Sequence, residues 1–270
     1  MESTTVILKR SRVSVRIECP SSIASEYSLA QIQQFPALAA WLQSLDEQVI
    51  AKPGSDISIK TLSIQSVDGF KSGKIGFIKF STDAHCTSSG RRIPGIVFLR
   101  GGSTAVLVIL RTAEQATGSS RVPPSHVDTD YVVLVEQPRV AVPRLALQEL
   151  PAGMFDDDSG AAVAGVSTAV REVLEETGIQ INADDLIRLT ADGRALYPSP
   201  GACDESVELY ACEKRVSGEE LAALRGRLGG LADEHITVRL VRVCDVWRHT
   251  TDMKALAALY LWDRWAAERQ

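Results

Sequence analysis

The sequence predicts an α+β protein, and three observations carry that reading. Short stretches with strand-like alternation crowd the N-terminal part, among them Val6-Ile7-Leu8 and Val13-Ser14-Val15-Arg16-Ile17. An unbroken apolar run, Tyr131-Val132-Val133-Leu134-Val135, marks a buried strand further on. Two segments with helical periodicity follow, one around Arg171–Gly178 and one over Thr251–Ala267.

Taken in order, the first helix is expected over Phe35–Leu45, with Pro36 in its first turn and apolar residues at 35, 38, 42 and 45, so that Trp41 and Leu42 belong to a core. Strands are expected around Ile57–Ile64, Gly76–Phe80, Gly95–Leu99 and Ala105–Leu110. The break at Arg100-Gly101-Gly102-Ser103 lacks the G-x-G-x-x-G or G-K-[ST] spacing of a phosphate loop, and no helix pattern opens there, so it reads as a hairpin turn. Glu114–His126, with Gly118-Ser119-Ser120 and Pro123-Pro124, is a polar boundary. It divides a β-rich accessory domain, 1–115, from a catalytic domain, 128–270. In the second part, strands are expected over Leu186–Ala191, Val207–Ala211 and Ile236–Val243, and a short helix over Glu219–Leu228. In the last helix Leu256, Tyr260, Leu261 and Trp265 form an apolar face, which reads as core, with a dimer contact as the alternative.

Composition narrows the class. The chain has 270 residues, 45% of them hydrophobic, and a formal net charge of −5, enough apolar material for one or two cores and no general attraction for nucleic acid. No apolar run reaches the roughly 18 residues of a membrane span, and Met1-Glu2-Ser3-Thr4 opens a polar segment rather than a secretory one. The expectation is a cytosolic enzyme without membrane contact, an organelle not being excluded. The five cysteines, Cys19, Cys86, Cys203, Cys212 and Cys244, have no C-x-x-C spacing and read as free thiols.

The chemistry is concentrated in Arg171-Glu172-Val173-Leu174-Glu175-Glu176-Thr177-Gly178-Ile179. At about 100° per residue, Arg171, Glu175, Glu172 and Glu176 span an arc of roughly 140°, while Val170, Val173, Leu174 and Thr177 take the opposite side. Glu172 and Glu176 are like charges at i, i+4, a pairing that costs a few tenths of a kcal/mol unless a cation sits between them. Oxygen ligands alone suit a hard ion, Mg²⁺ with Mn²⁺ as the alternative. Mg²⁺ takes one or two carboxylates together with substrate phosphates, so a phosphate-bearing substrate is implied.

With Gly153 upstream and Gly178 downstream, this segment resembles the signature of the Nudix hydrolases, G-x5-E-x7-R-E-U-x-E-E-x-G-U with U aliphatic. Gly153, Arg171, Glu172, Glu175, Glu176 and Gly178 stand at six fixed positions, with Val173 and Ile179 at aliphatic ones. Two departures stand out: 17 residues, Met154–Val170, separate the first Gly from the Arg where the pattern has 13, and Val163 stands in place of the upstream Glu. Further segments are similar to the ADP-sugar and ADP-ribose diphosphatase branch, in particular its plant-type members. They include Glu136-Gln137-Pro138-Arg139, Glu149-Leu150-Pro151-Ala152-Gly153-Met154, Met154-Phe155-Asp156-Asp157-Asp158, Ser199-Pro200-Gly201-Ala202-Cys203-Asp204-Glu205 and Asp245-Val246-Trp247-Arg248.

That resemblance implies an α/β/α sandwich behind a smaller β-rich domain, and a homodimeric enzyme that splits ADP-glucose or ADP-ribose into AMP and a sugar phosphate. It implies metal ligation by Glu172 and Glu176, with Glu175 and the Ala152 carbonyl contributing, and a catalytic role for Glu175 beside the metal. Arg171 either orients a glutamate or contacts phosphate, the first being favoured. Glu205 is the expected metal ligand or general base, with Asp204 its rival. Arg139, Gly153 and Glu149 are the candidates for substrate contact; for Arg139 the competing reading is a surface charge beside Glu136. Phe70 is a candidate for the adenine slot. The other functional readings are a catalytically silent nucleotide-binding module and a hydrolase of another nucleoside diphosphate, a dinucleotide or NADH.

Overall fold

A computed structural model describes residues 1–112, 130–155, 161–190, 194–231 and 234–269, with the side chains of 161–164 outside the described set. The chain divides into two compact units, Met1–Gly102 with Ser199–Glu205, and Ser103–Pro198 with Ser206–Gln270. The polar boundary expected over Glu114–His126 falls wholly outside the described residues, as does Asp156-Asp157-Asp158. Where the sequence reading puts the break after residue 115, the stretch Ser103–Thr112 joins the second unit, whose sheet it completes.

In the first unit, β1 (Glu2–Ile7) runs antiparallel to β2 (Ser14–Cys19), and three short helices follow, α1 (Ser21–Ala24), α2 (Leu29–Gln34) and α3 (Pro36–Ser44). The start of α2 is fixed by a capping box: the Ser28 hydroxyl accepts from Gln31 N–H and the Gln31 side chain accepts from Ser28 N–H. Pro36 sits in the first turn of α3, where its missing N–H costs nothing. The expected strand at 57–64 is two, β3 (Ile57–Ser58) and β4 (Thr61–Gly69); then come β5 (Ile75–Thr82), β6 (His85–Cys86), paired with β3, and β7 (Ile96–Leu99). The five-stranded sheet has the order β1-β2-β4-β5-β7. Val15, Ile17, Leu62, Ile64, Ile78 and Phe80 face Ile32, Leu38, Leu42 and Leu45 in one core, and Trp41 meets Phe80 edge-on at 5.1 Å.

The second unit opens with β8 (Gly102–Thr112), in which every residue from Ser103 to Leu110 is buried. The reason is coverage on both faces. Ala105, Leu107 and Ile109 point into one cluster and Val106, Val108 and Leu110 into another. The sheet continues through β9 (Tyr131–Arg139), β10 (Arg144–Glu149) and β11 (Ala152–Met154). After α4 (Ala161–Thr177) come β12 (Ile187–Arg188), β13 (Ser206–Val216), α5 (Gly218–Leu224), β14 (Leu228–Gly229), β15 (Ile236–Arg242), α6 (Val246–His249) and α7 (Met253–Ala267). The order is β12-β13-β8-β9-β15-β14, with β10 on β9 and β11 on β8. Ala169 and Val173 of α4 and Leu224 of α5 close one face, and Ala255, Ala258 and Trp262 of α7 close the other. This is the α/β/α sandwich that the resemblance implies.

Several expectations are corrected. Arg100–Ser103 is not a hairpin, because β7 and β8 pair in different sheets. Instead, the N–H groups of Arg100 and Gly101 donate to Asp204. The expected helix at 219–228 ends at Leu224, and Leu228 starts a strand. The strand expected over Leu186–Ala191 is only Ile187–Arg188, and Ala191 lies outside the described residues. In α7 the buried face is Ala255, Ala258, Trp262 and Ala266; Leu261 and Trp265 pack at its margin, while Leu256 and Tyr260 are exposed. All five cysteines are free thiols. Among the described residues no helix is long and apolar enough to cross a membrane.

Candidate active site

The acidic helix α4 is held by its apolar side. Ala169, Val173 and Thr177 are fully buried against the sheet, whereas Leu174, expected with them, is 44% exposed. The helix ends where Gly178 takes a φ of +72°, a conformation that costs glycine little, with its N–H on Leu174 O at 2.8 Å. These contacts leave Arg171, Glu172, Glu175 and Glu176 on the sides of α4 not occupied by Ala169 and Val173, with Glu176 still buried.

Strand β11 runs against that acidic face. The Ala152 N–H donates to Glu176 Oε2 at 3.1 Å. At Gly153 an added Cβ would lie 2.0 Å from Glu172 Oε1, so only glycine admits the carboxylate at that spot. Gly153 therefore has a packing reason of its own. Arg171 Nη1 lies 3.0 Å from Glu172 Oε1 and 3.1 Å from Glu175 Oε2, bridging the two acids. Val163, at the position of the missing upstream Glu, lies on α4 with its side chain outside the described set.

The electrostatics of this cluster are unbalanced. Glu176 is only 4% exposed. Burial and the neighbouring Glu172 charge push it up to about 8, against the Ala152 N–H and Arg139, which favour the ionised form. Burial raises Glu172 as well; the Arg171 charge opposes that, and Glu175 and Glu234 add to it. Enclosed carboxylates in such numbers ordinarily coordinate a metal or meet a matching cation. As the side chains stand, Glu172 and Glu175 turn to Arg171, and Glu176 to the Ala152 N–H. Among the described residues no three His, Cys, Asp or Glu side chains converge as a metal site. Hard oxygen donors with surplus negative charge fit Mg²⁺ or Mn²⁺ and suit neither a soft metal nor an anion.

Arg139, at the end of β9, gives its Nε to Glu149 Oε2 at 2.6 Å with its side chain 42% exposed, and its charge reaches Glu176. The alternative pairing with Glu136 is not the one observed, since Arg239 takes that carboxylate at 2.7 Å. Glu149 is buried between Arg139 and Lys254.

Glu205 and Asp204 belong to the first unit. There Glu205 Oε1 lies 3.5 Å from Arg100 Nε, and Asp204 accepts the Arg100 and Gly101 N–H groups, which occupies it structurally. Phe70, also in the first unit, is half exposed and packs edge-on against Phe77.

Two features escaped the sequence reading. Glu234, in the turn between β14 and β15, adds negative charge to both Glu172 and Glu176. It arrives there because Gly230 N–H donates to Glu175 O at 2.8 Å, which ties that turn to the end of α4. The other is Asp252 with Lys254 at the start of α7. Neither has a periodic signal.

A comparison with curated proteins finds Nudix hydrolase 14, chloroplastic, of Arabidopsis thaliana, 37% identical over 230 residues that cover 83% of this chain and 68% of that protein. The chain belongs to the Nudix hydrolase family. Among solved structures, that of an ADP compounds hydrolase superposes on this Nudix chain with a TM-score of 0.52, at 17% identity, covering 81% of it and 98% of the solved chain. That likeness establishes a shared fold. No family model matches the chain. Glu172, Glu175 and Glu176, the acids of the segment that resembles the Nudix signature, lie together on α4.

Proposed function

We propose that this chain is a divalent-metal-dependent hydrolase that splits the diphosphate of nucleoside diphosphate sugars, ADP-glucose and ADP-ribose foremost, into AMP and a sugar phosphate. The observation that carries the reading is the enclosed pair Glu172 and Glu176, whose ionisation burial and neighbouring acids oppose, with too little cationic charge beside them to offset it. A cation resolves that imbalance, and a diphosphate supplies its remaining oxygen ligands. The name of the structural neighbour, an ADP compounds hydrolase, supports an ADP-linked substrate.

In this reading Glu172 and Glu176 hold Mg²⁺ or Mn²⁺, with Glu175 and the Ala152 carbonyl as supplementary ligands. When bound, the ion neutralises the diphosphate and stabilises the charge that builds up in the in-line displacement. Arg171 fixes the directions of Glu172 and Glu175. Arg139 offers a guanidinium to a phosphate, the pairing for which its geometry is suited, while Gly153 and Glu149 line and brace the same contact. Two carboxylates compete for the proton of the attacking water. Glu234 is favoured by its electrostatic closeness to Glu172 and Glu176; Glu205 rests on the loop resemblance. The active form is proposed to be a homodimer, in the cytosol or in a plastid such as the one the relative's name carries.

The test is a panel of nucleoside diphosphate sugars, a dinucleotide and NADH, with and without Mg²⁺, and with identification of products. AMP plus sugar phosphate from ADP-glucose or ADP-ribose, dependent on metal, is the expected result. Turnover confined to the dinucleotide or NADH would replace the substrate class. Inactivity on the whole panel would leave a nucleotide-binding module.

A further inference from the structure

At the start of α7, Asp252 and Lys254 complete a row of four alternating charges, Arg139, Glu149, Lys254 and Asp252. Glu149 is only 6% exposed, and its two oxygens have different partners: Oε2 accepts from Arg139 Nε at 2.6 Å, Oε1 from Lys254 Nζ at 3.3 Å. The lysine ammonium also donates to Asp252 Oδ1 at 2.8 Å. Asp252 caps α7 through the Lys254 N–H and, with Oδ2, accepts the Leu150 N–H at 3.1 Å. Thr250 Oγ1 donates to the Gln148 carbonyl. Residues 148–150, which lead into Ala152 and Gly153, are therefore fastened to the start of α7 at each successive position.

Capping needs only Asp252. The enclosed ammonium of Lys254 is a cost that needs another reason. Burial opposes its charge, yet Asp252 and Glu149 outweigh burial and keep it protonated. Its effect falls on Arg139. A carboxylate and a guanidinium prefer a two-pronged pair that uses both oxygens. With one oxygen of Glu149 taken by Lys254, Arg139 engages through Nε, and its two Nη groups stay outside that bond.

We infer that Lys254 is a positioning residue, which by occupying one oxygen of Glu149 holds Arg139 in a single-edge pair and keeps its Nη groups for the substrate diphosphate. The inference rests on the diphosphate-hydrolase reading above. It places the control of a phosphate contact on the C-terminal helix, more than 100 residues away in sequence.

The experiment is steady-state kinetics with ADP-ribose and Mg²⁺ on the wild type, Lys254→Met, Lys254→Arg, Arg139→Ala and the double variant Lys254→Met/Arg139→Ala. Lys254→Met should raise KM about tenfold with kcat nearly unchanged, because ground-state and transition-state contacts to phosphate are lost alike. Lys254→Arg, which keeps the charge, should recover most of that loss. In the Arg139→Ala background Lys254→Met should add nothing further, as expected for residues acting through one another. An equal effect in both backgrounds, or a fall in kcat and melting temperature at unchanged KM, overturns the inference. Should Lys254→Met fail to fold, arginine side-chain NMR of the wild type decides: on addition of ADP the Nη signals of Arg139 should shift while its Nε–H stays, and the reverse pattern overturns the assignment. A wild type that binds ADP but hydrolyses no sugar nucleotide sinks the hydrolase reading alone. One that does neither sinks both.

Discussion

Gly153→Ala isolates the contact on which the site turns. The new Cβ would lie 2.0 Å from Glu172 Oε1, 2.2 Å from its Cδ and 2.6 Å from its Cγ, against the 3.4 Å at which ordinary contact begins. The carboxylate is the free end of a side chain and can swing away, so the protein should fold, with a cost of about 1–3 kcal/mol, the range of a local overpacking. The displacement of the Glu172 oxygen, however, exceeds 1 Å by the difference of those distances. A misplacement of that size costs on the order of 10²-fold in rate. The assay is kcat/KM on ADP-ribose with Mg²⁺, beside thermal unfolding of the same preparation. The expected outcome is a loss of about two decades with a melting shift of a few degrees. Activity within threefold of wild type would show that the position of Glu172 is immaterial, and would refute the reasoning from contact to chemistry.

Further expectations follow from the same charges. In EDTA, Glu176→Gln should be more stable than wild type near pH 8. Folding raises Glu176 from 4.5 to about 8, so the wild type is at its best below the lower value and loses stability as pH rises through the upper. Each pH unit is worth at most about 1.4 kcal/mol, and denaturant melts at pH 5 and pH 8 should show the advantage only at the higher pH. Glu234→Gln should reduce kcat by about 10²-fold and Glu205→Gln much less; the opposite ranking in a parallel kinetic assay returns the water-activating role to Glu205. In the first unit, hydrogen bonds from Cys86, Ser88 and Thr87 hold Asp56 well below the usual carboxylate range. Its contribution is present above the usual carboxylate pKa and fades as pH falls. The melting difference between wild type and Asp56→Asn should accordingly shrink on acidification, and a difference constant with pH would show that the charge is not what matters.

The sequence exposed what is local and periodic. Glu172, Glu175 and Glu176 are legible because a helix converts spacing of one, three and four residues into one face. The strands β8 and β9 are legible because burial on both sides makes them continuous apolar runs. What stayed hidden depends on pairing at a distance. The Arg100–Gly101 turn looked like a hairpin because nothing local says that β7 and β8 belong to separate sheets. The face of α7 was misread because small alanines carry its burial, and the large Leu256 and Tyr260 that dominate a hydropathy pattern point outward. Glu234 and the Asp252–Lys254 pair sit at element ends, where no period marks them. Lys254 meets Glu149 across 105 positions, and Leu150 meets Asp252 across 102.

The measurement that bears most directly on the whole account is calorimetric titration of Mn²⁺ into the wild type and into Glu172→Gln/Glu176→Gln, without nucleotide, each checked for folding by circular dichroism. The account predicts saturable binding to the wild type and none to the folded double variant. Equal binding by both would contradict it, and would move the cation, with the chemistry assigned to it, away from this helix.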